Sequence, residues 1–192
     1  MGTPGTDLSA AKAAARAEAR ARRRSGDRPD PSAVAEQAMT LVEELPGPRR
    51  VTCYASYGTE PDTSVLRARL AAAGFEVLLP RVCGDEMEWV LDGPESEVSA
   101  MGIEEPRGPG VDLLPVRVML MPALAVTPSG DRLGKGGGYY DRAIASLGAT
   151  PVVLAAMVGD DDVVSSLPTQ AHDQRVDAII TPTRVLRCAA ER

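Results

Sequence analysis

The chain has 192 residues, 44% of them hydrophobic, and a formal net charge of −6 at pH 7. This length suffices for one domain with a hydrophobic core, and this apolar content excludes a disordered tail. The sequence contains no apolar run near the roughly 20 residues of a membrane span, and its acidic balance argues against general nucleic-acid binding.

The number and position of the cysteines indicate a reducing environment. Cys53, Cys83 and Cys188 are too few and too scattered for a disulfide framework or a zinc site. The first residues also lack the basic segment and the apolar stretch of a secretory signal. We therefore expect a cytoplasmic protein with three inert thiols.

The N-terminal segment is basic although the whole chain is acidic. Residues 1–28 contain seven basic and three acidic side chains, a net charge of +4. An alanine-rich run predicts a helix over residues 9–24, with Lys12, Arg16 and Arg20 at intervals of four along one stripe. This stripe is expected to fold over an anionic ligand.

Other interpretations of this segment stay open. Arg22, Arg23 and Arg24 are expected to be solvated, and the spacing of Lys12 is equally consistent with a solvated helix charge. A basic arm is also typical of a nucleic-acid tail or a transit peptide, so a nucleic-acid-binding protein is one alternative.

Helix-breaking residues and the periodicity of apolar residues predict alternating helices and strands after the basic segment. Pro31 opens a second helix that ends near Leu45, and Asp62 caps a third that ends at Gly74. Strands are predicted at residues 51–55, 76–79, 87–91, 116–121, 152–157 and 178–181. Residues 92–115 are expected to form a long loop. The alternation predicts an α/β protein whose mainly parallel sheet is covered on both faces.

The most informative segment lies between the strand predicted at 116–121 and a short helix that ends at Gly148. Residues 132–141 read Arg-Leu-Gly-Lys-Gly-Gly-Gly-Tyr-Tyr-Asp. Four glycines allow backbone amides to approach a ligand, and a helix N-terminus with two cations makes the segment an anion site. The segment matches neither the Walker A sequence nor the dinucleotide fingerprint.

Single residues of this chain also suggest roles. Lys12 and Lys135 are its two lysines beside 19 arginines, which suggests that a compact ammonium is needed where they stand. Asp141 provides a carboxylate able to hold a metal beside phosphates, although a plain helix cap is the alternative. His172 has no Ser or Cys partner in a nucleophile context, so we expect a surface or hydrogen-bonding role.

Segments 121–125 and 130–142 resemble the signature of the 5-formyltetrahydrofolate cyclo-ligase family, also called methenyltetrahydrofolate synthetases. That signature is a strand ending in proline, followed by G-x-R-L-G-x-G-x-G-Y-Y-D. Other segments resemble family landmarks in the same order: Lys12-x-x-x-Arg16, Glu60–Thr63, Leu79–Val82, Gly102–Pro106, Leu167-Pro168 and His172–Asp177. Val126 stands where the family usually has an aromatic residue, which bears on substrate fit.

The resemblance implies a single domain over residues 1–192, in which the basic helix of residues 1–25 closes the ATP site. The implied fold is a three-layer α/β/α domain with a mainly parallel sheet, similar to the NagB/RpiA/CoA-transferase-like fold. The implied ligands are small molecules, with no nucleic acid and no membrane, and a monomer is expected.

The implied reaction converts 5-formyltetrahydrofolate and ATP to 5,10-methenyltetrahydrofolate, ADP and phosphate, with Mg²⁺. The formyl oxygen of the substrate attacks the γ-phosphate, so no protein nucleophile is required. A non-catalytic folate- or nucleotide-binding paralogue of the same fold is the alternative.

The resemblance also implies overlapping sets of site residues. The ATP set is Lys12, Arg16, Arg132, Leu133, Gly134, Lys135, Gly136, Gly137, Gly138, Tyr139 and Tyr140. The folate set is Ala55, Glu60, Lys135, Gly136, Gly137, Gly138 and Tyr139. Catalytic roles fall to Lys135, Arg132 and Tyr139, and the Mg²⁺ ligands are Asp141 and Asp173.

Overall fold

The computed structural model of the protein describes residues 4–84, 86–98, 104–170 and 173–188. The expectation for His172 and part of the landmark at 102–106 fall outside these residues. The helices are α1 (Pro4–Ser25), α2 (Pro31–Glu44), α3 (Ser64–Ala72) and α4 (Tyr139–Ser146). The strands are β1 (Arg50–Thr52), β2 (Glu76–Cys83), β3 (Glu86–Leu91), β4 (Ser96–Val98), β5 (Glu104–Pro106), β6 (Val118–Pro122), β7 (Ala125–Val126), β8 (Arg132–Leu133), β9 (Val153–Met157), β10 (Ala178–Ile180) and β11 (Val185–Arg187).

Seven of the described strands form one sheet in the order β11-β10-β9-β6-β1-β2-β3. Its central five strands, from β10 to β2, pair in parallel, and β3 and β11 close the two edges antiparallel. The α/β fold with a mainly parallel sheet is therefore confirmed. Because the five strands run the same way, their carboxyl ends meet at one edge of the sheet, where ligands bind in such folds.

Side-chain alternation along β6 explains why both faces of the sheet are covered. Val118 and Leu120 are fully buried on the face where α2 and α3 pack. Met119 and Met121 are fully buried on the opposite face, against α4 and the segments around it. A strand buried on both faces is apolar throughout, as a parallel central strand must be. Each such aliphatic side chain contributes about 1.5–3 kcal/mol of transfer free energy to the core.

Local sequence signals explain the bounds of α2 and α3. Asp30 caps α2 by accepting the N–H of Ser32 at 2.9 Å, and Pro31 stands in its first turn. The cap of α3 is Thr63, one residue after the predicted Asp62, although the Asp62 carboxylate accepts the N–H of Ser64 at 2.8 Å. The capping signal was therefore correct in kind and wrong by one position.

Several bounds differ from the predictions for tertiary reasons. The predicted strand at 76–79 continues to Cys83 because β3 pairs with residues 78–83. The predicted loop at 92–115 contains the β4–β5 hairpin. The strands β7, β8 and β11 have two or three residues, which is too short for a periodic signal.

The expectation that Arg22 and Arg23 are solvated is wrong. Both pair with Asp162, at 2.9 Å and 2.6 Å, and the Arg23 and Asp162 side chains are only 6% and 5% exposed. The face of α1 that meets the protein also includes Ala19, whereas Arg20 of the predicted stripe is exposed. Across the described ranges, no helix is long and apolar enough to cross a bilayer.

The expectation of three inert thiols does not hold for Cys83, and the three cysteines should differ sharply in reactivity towards a thiol reagent. Cys83 is exposed, whereas burial raises the pKa of Cys53 to about 12 and that of Cys188 to about 11. Since the thiolate is the reactive form, we expect one fast-reacting thiol per chain at pH 8, a slower Cys188, and a Cys53 that reacts only after unfolding. A Cys83→Ser variant, the control, should lose the fast phase, and labelling of Cys53 in the folded protein would contradict this assignment.

Candidate active site

A cavity of about 790 Å³ lies at the carboxyl ends of the parallel strands. Ala55 follows β1, Pro80 and Val82 belong to the second half of β2, and Pro122 is the last residue of β6; all four line this cavity. Its size is that of a typical small-molecule site, and apolar walls with a few polar groups suit a flat organic ligand.

All the site residues expected from the sequence line this one cavity. They come from α1, from the segment after β1, from the glycine-rich segment and from the segment before β10. They are Lys12, Arg16, Ala55, Glu60, Arg132, Leu133, Gly134, Lys135, Gly136, Gly137, Gly138, Tyr139, Tyr140, Asp141 and Asp173. The fold thus brings together residues that are far apart in the sequence.

Other lining residues were not expected as site residues. They are Tyr54, Tyr57, Pro80, Val82, Met87, Glu105, Pro122 and Gln170. Pro80, Val82 and Glu105 stand inside segments recognised as family landmarks, and Pro122 ends the central strand, so a signal existed for these four. Tertiary packing alone brings the other four to the cavity wall: Tyr54, Tyr57, Met87 and Gln170.

The glycine-rich segment needs its glycines for backbone shape and for space. Gly136 and Gly138 have φ angles of 109° and 68°, which side chains rarely adopt. A Cβ at Gly137 would lie 2.7 Å from the Tyr139 ring. Gly138 is also the N-cap of α4. The segment therefore brings bare backbone and a helix N-terminus to the cavity, which is the arrangement that binds anions.

Arg132 and Asp141 form an ion pair at the start of α4. The Nη2 of Arg132 lies 2.5 Å from Oδ1 of Asp141, and the arginine side chain is 4% exposed against 45% for the aspartate. Asp141 is not the helix cap, because Gly138 occupies that position. The buried Nε of Arg132 has no hydrogen-bond partner among the described residues. A buried cation with one free donor is suited to a further anionic oxygen.

Lys135 connects the glycine-rich segment to the loop after β1. Its Nζ lies 2.7 Å from Oε1 of Glu60 and 5.3 Å from the centroid of the Tyr57 ring. The Glu60 side chain is 6% exposed, and its other oxygen accepts the N–H of Tyr57 at 2.8 Å. Burying a carboxylate this deeply is costly unless it is ion-paired and hydrogen-bonded, and these two contacts offset that cost. The contact between Lys135 and Glu60 places a cation of the glycine-rich segment beside a hydrogen-bond acceptor on the other wall of the cavity.

The N-terminal helix contacts the cavity through two cations. Nζ of Lys12 lies 2.6 Å from Asp173, and Nε of Arg16 donates to the carbonyl oxygen of Gly134 at 3.0 Å. Asp173 also accepts the N–H of Gln170 at 2.7 Å. The solvated-charge interpretation of Lys12 is therefore wrong, because its side chain is 15% exposed and ion-paired.

The buried hydroxyls of Tyr54 and Tyr140 on the cavity wall stay protonated. Burial, followed by the negative charge of Glu60, raises the pKa of Tyr54 and of Tyr140 well above the ordinary value. Tyr54 donates to the carbonyl oxygen of Pro61 at 3.3 Å. The buried hydroxyl of Tyr140 has no partner in the part of the chain that is described. It is a neutral donor available to a ligand.

Two carboxylates suit a cation that is shared with a ligand. No cluster of three or more His, Cys, Asp or Glu side chains forms a metal site within the described residues. Asp141 and Asp173 line the cavity, each beside a basic side chain. Mg²⁺ commonly uses one or two carboxylates together with substrate phosphates and water, so this donor set fits that mode.

Val126 does not line the cavity, so an effect of this position on substrate fit stays a prediction and would act through the core. It is fully buried in β7, where it pairs with Arg132 of β8 and bridges to Val163. A strand pairing on each side directs this residue into the core.

The chain is similar in sequence to known enzymes along most of its length. A model of the 5-formyltetrahydrofolate cyclo-ligase family matches residues 8–182. The 5-formyltetrahydrofolate cyclo-ligase of Mycolicibacterium smegmatis is 36% identical over 146 residues, covering 71% of this chain and 75% of that protein. The enzyme of the same name from Escherichia coli K12 is 29% identical over 175 residues, covering 85% and 96%.

The fold is similar to solved structures as well. The Aquifex aeolicus 5,10-methenyltetrahydrofolate synthetase superimposes with a TM-score of 0.76 at 26% identity, covering 94% of each chain. A synthetase of the same name from Mycoplasma pneumoniae gives a TM-score of 0.71 at 16% identity, covering 88% of this chain and 97% of that one, and supports the fold alone. The resemblance found in the sequence is confirmed, and this chain belongs to the 5-formyltetrahydrofolate cyclo-ligase family of ligases.

Proposed function

We propose that this enzyme uses ATP and Mg²⁺ to cyclise 5-formyltetrahydrofolate to 5,10-methenyltetrahydrofolate, releasing ADP and phosphate. The observation that supports this most directly is the 2.7 Å contact between Lys135 and Glu60. Direct transfer of a phosphoryl group to folate requires the two substrates to meet at one point. A phosphate-binding cation that touches the proposed folate-binding carboxylate provides that point.

The ATP phosphates bind the glycine-rich segment in this proposal. Backbone amides of Gly134–Gly138 and the N-terminus of α4 face the β- and γ-phosphates, with Lys135 and the free Nε of Arg132 as cations. Lys12 and Arg16 of α1 cover the phosphates from the other side. Tyr139 and Tyr140 pack near the nucleotide and the folate, with the Tyr140 hydroxyl as a donor.

The folate occupies the half of the cavity next to β1 and β2. Glu60 accepts N–H groups of the pterin, because a carboxylate can take two such donors in parallel. Ala55, Pro80 and Val82 line the cavity here and provide apolar contacts to a flat ring. Tyr139 completes this half from the glycine-rich segment.

The reaction proceeds through a phosphorylated substrate. The formyl oxygen attacks the γ-phosphorus, the bond to the bridging oxygen of ADP breaks, and ADP leaves. N10 of the folate then attacks the imidate carbon and loses its proton. The carbon–oxygen bond breaks, and phosphate departs with the former formyl oxygen. The protein's contribution is orientation and charge stabilisation, so the lack of an assigned nucleophile is consistent with this chemistry.

In this proposal Asp141 and Asp173 would hold Mg²⁺ beside the phosphates. The ion supplies neutralisation of the charge that develops on the transferring phosphoryl group. Arg132 and Lys12 pair with these two carboxylates and so keep the aspartate side chains near the phosphates.

The decisive experiment mixes the purified protein with 5-formyltetrahydrofolate, ATP and Mg²⁺, and follows the near-ultraviolet absorbance of the methenyl product. ATP-dependent growth of this absorbance, with one ADP per product, is expected. A non-catalytic paralogue would bind either ligand in calorimetry without product formation, and that result would reject the proposal.

Replacing Lys135 by alanine should weaken ATP use while the protein stays folded. Losing one charge-assisted phosphate contact should lower kcat/KM for ATP by about 30- to 150-fold, or about 2–3 kcal/mol. Initial rates at varied ATP measure the effect. Arg24→Ala removes the same charge from an exposed position of α1 and should behave as wild type. An unchanged kcat/KM in Lys135→Ala would eliminate the phosphate role.

Replacing Glu60 by glutamine should affect the two substrates in opposite directions. The KM for 5-formyltetrahydrofolate should rise about tenfold or more, because a charged acceptor is lost. ATP alone should bind more tightly in calorimetry, since Lys135 no longer has a carboxylate partner. Glu44→Gln, in an exposed pair with Arg187, is the matched control. Wild-type folate affinity in Glu60→Gln would contradict the assignment.

Replacing Asp141 by asparagine should raise the Mg²⁺ concentration for half-maximal rate by about tenfold, because a hard cation needs the charge. Gly138 remains the cap of α4 and an asparagine oxygen can still accept from Arg132, but the buried arginine loses its counter-ion, so a lower melting temperature is expected beside the Mg²⁺ effect. Rates over a Mg²⁺ titration test this, with Asp173→Asn as the parallel variant and Asp27→Asn, an exposed turn residue, as control. If Asp141→Asn keeps the wild-type titration, the role passes to Asp173 or to the nucleotide.

A further inference from the structure

The buried carboxylate of Asp162 lies outside the cavity and is not part of the proposed chemistry. It belongs to a short 3₁₀ segment, Asp160–Asp162, that follows β9 at the carboxyl edge of the sheet. Its Oδ1 accepts from Nε and Nη2 of Arg22 at 3.2 Å and 2.9 Å, and its Oδ2 accepts from Nε of Arg23 at 2.6 Å. One carboxylate thus holds two successive arginines of α1.

The geometry of α1 relates this contact to the cavity. Lys12, Arg16, Ala19 and Arg23 follow one another at intervals of four, three and four, which places them along one face of a helix. The first two contact Asp173 and Gly134, Ala19 is 1% exposed, and Arg23 contacts Asp162. The end of α1 at Arg23 is therefore an anchor, and Lys12 lies about 16 Å along the helix from it.

The Asp162 anchor and the glycine-rich segment are both connected to strand β7. Val163, next to Asp162, bridges to Val126 of β7, and the N–H of Val164 donates to the carbonyl oxygen of Val126 at 2.9 Å. Val126 in turn pairs with Arg132 of β8, which leads into the glycine-rich segment. Arg23 also donates to the carbonyl oxygen of Ala123, just after β6. The two walls that would enclose the phosphates are thus joined at this point.

We propose that Asp162 is a positioning residue of the reaction: by holding Arg22 and Arg23, it fixes the rotation and axial position of α1 and so presents Lys12 and Arg16 to the ATP phosphates. This inference rests on the proposed function, because it takes the phosphates of ATP to be the ligand of Lys12 and Arg16. It adds a residue that touches neither substrate. Two charge-assisted contacts to one buried carboxylate resist rotation of the helix, which Ala19 packing alone would not prevent.

The primary variant is Asp162→Asn, which keeps the size and one acceptor oxygen while removing the charge. We expect the KM for ATP to rise by about tenfold, as for a lost charge-assisted contact, while the KM for 5-formyltetrahydrofolate changes less than about twofold. Hydrogen exchange of the α1 amides should accelerate, with the exchange of β6 and β9 preserved. Asp161→Asn removes the same charge from the exposed neighbouring residue and should match wild type in every measurement.

A second variant guards against misfolding, since Asp162→Asn leaves the buried Arg23 without its counter-ion. Arg23→Met/Asp162→Asn removes both charges and the anchor together, and the same rise in KM for ATP and the same exchange at α1 are expected. A folded variant with wild-type KM for ATP and wild-type exchange would overturn the proposal, as would an equal loss for both substrates. If wild-type protein turns over no ATP, the proposed function fails, and the exchange of α1 alone decides whether Asp162 is the anchor.

Discussion

The parallel direction of five neighbouring strands is the constraint on which the rest of this protein depends. Because β10, β9, β6, β1 and β2 run the same way, their carboxyl ends share one edge. The segments that leave this edge provide Glu60 after β1, Pro122 at the end of β6 and Asp162 after β9. The cavity and the anchor of α1 are consequently neighbours, although their residues come from separate crossovers.

Three ion pairs organise the charge of the cavity. Lys12 pairs with Asp173, Arg132 with Asp141, and Lys135 with Glu60. Lys12 and Arg132 are largely withdrawn from water, at 15% and 4% exposure, whereas Lys135 is 47% exposed and is held by its pair with the buried Glu60. Under the proposed function, a phosphate must compete with a carboxylate for Lys12 and Lys135, whereas the free Nε of Arg132 is available without such competition. This competition lowers the ground-state affinity for the nucleotide and keeps the cations oriented. Both effects suit catalysis better than tight storage of a nucleotide.

The N-terminal helix α1 links the cavity to the Asp162 anchor, because its two halves make different contacts. Its first half presents Lys12 and Arg16 to the cavity, and its second half is held by Asp162 through Arg22 and Arg23. The basic helix of this acidic chain is thus not a free arm, because both of its halves contact the rest of the protein. Four basic side chains of α1 make intramolecular contacts, whereas the basic side chains of Arg20 and Arg24 are exposed.

The sequence by itself determined the α/β class, the position of most helices and strands, and the glycine-rich segment before α4. These depend on local rules: apolar periodicity, Pro31 and Asp30 at a helix start, and glycines where the backbone must adopt positive φ. Fifteen of the cavity-lining residues were also expected from the sequence, because the resemblance to family motifs marks them by spacing along the chain, whereas Tyr54, Tyr57, Met87 and Gln170 carried no such signal.

Only the tertiary structure decided which of these residues touch. Lys12 meets Asp173 across 161 positions and Arg23 meets Asp162 across 139, and no local pattern encodes such pairings. Arg22 and Arg23 could not be distinguished from the exposed Arg24 in the sequence, since all three follow one another in one charged run. Their difference arises from a carboxylate that β9 places beneath one face of α1. Helical periodicity defines which side chains share a face, but only packing against the sheet selects the face that is buried.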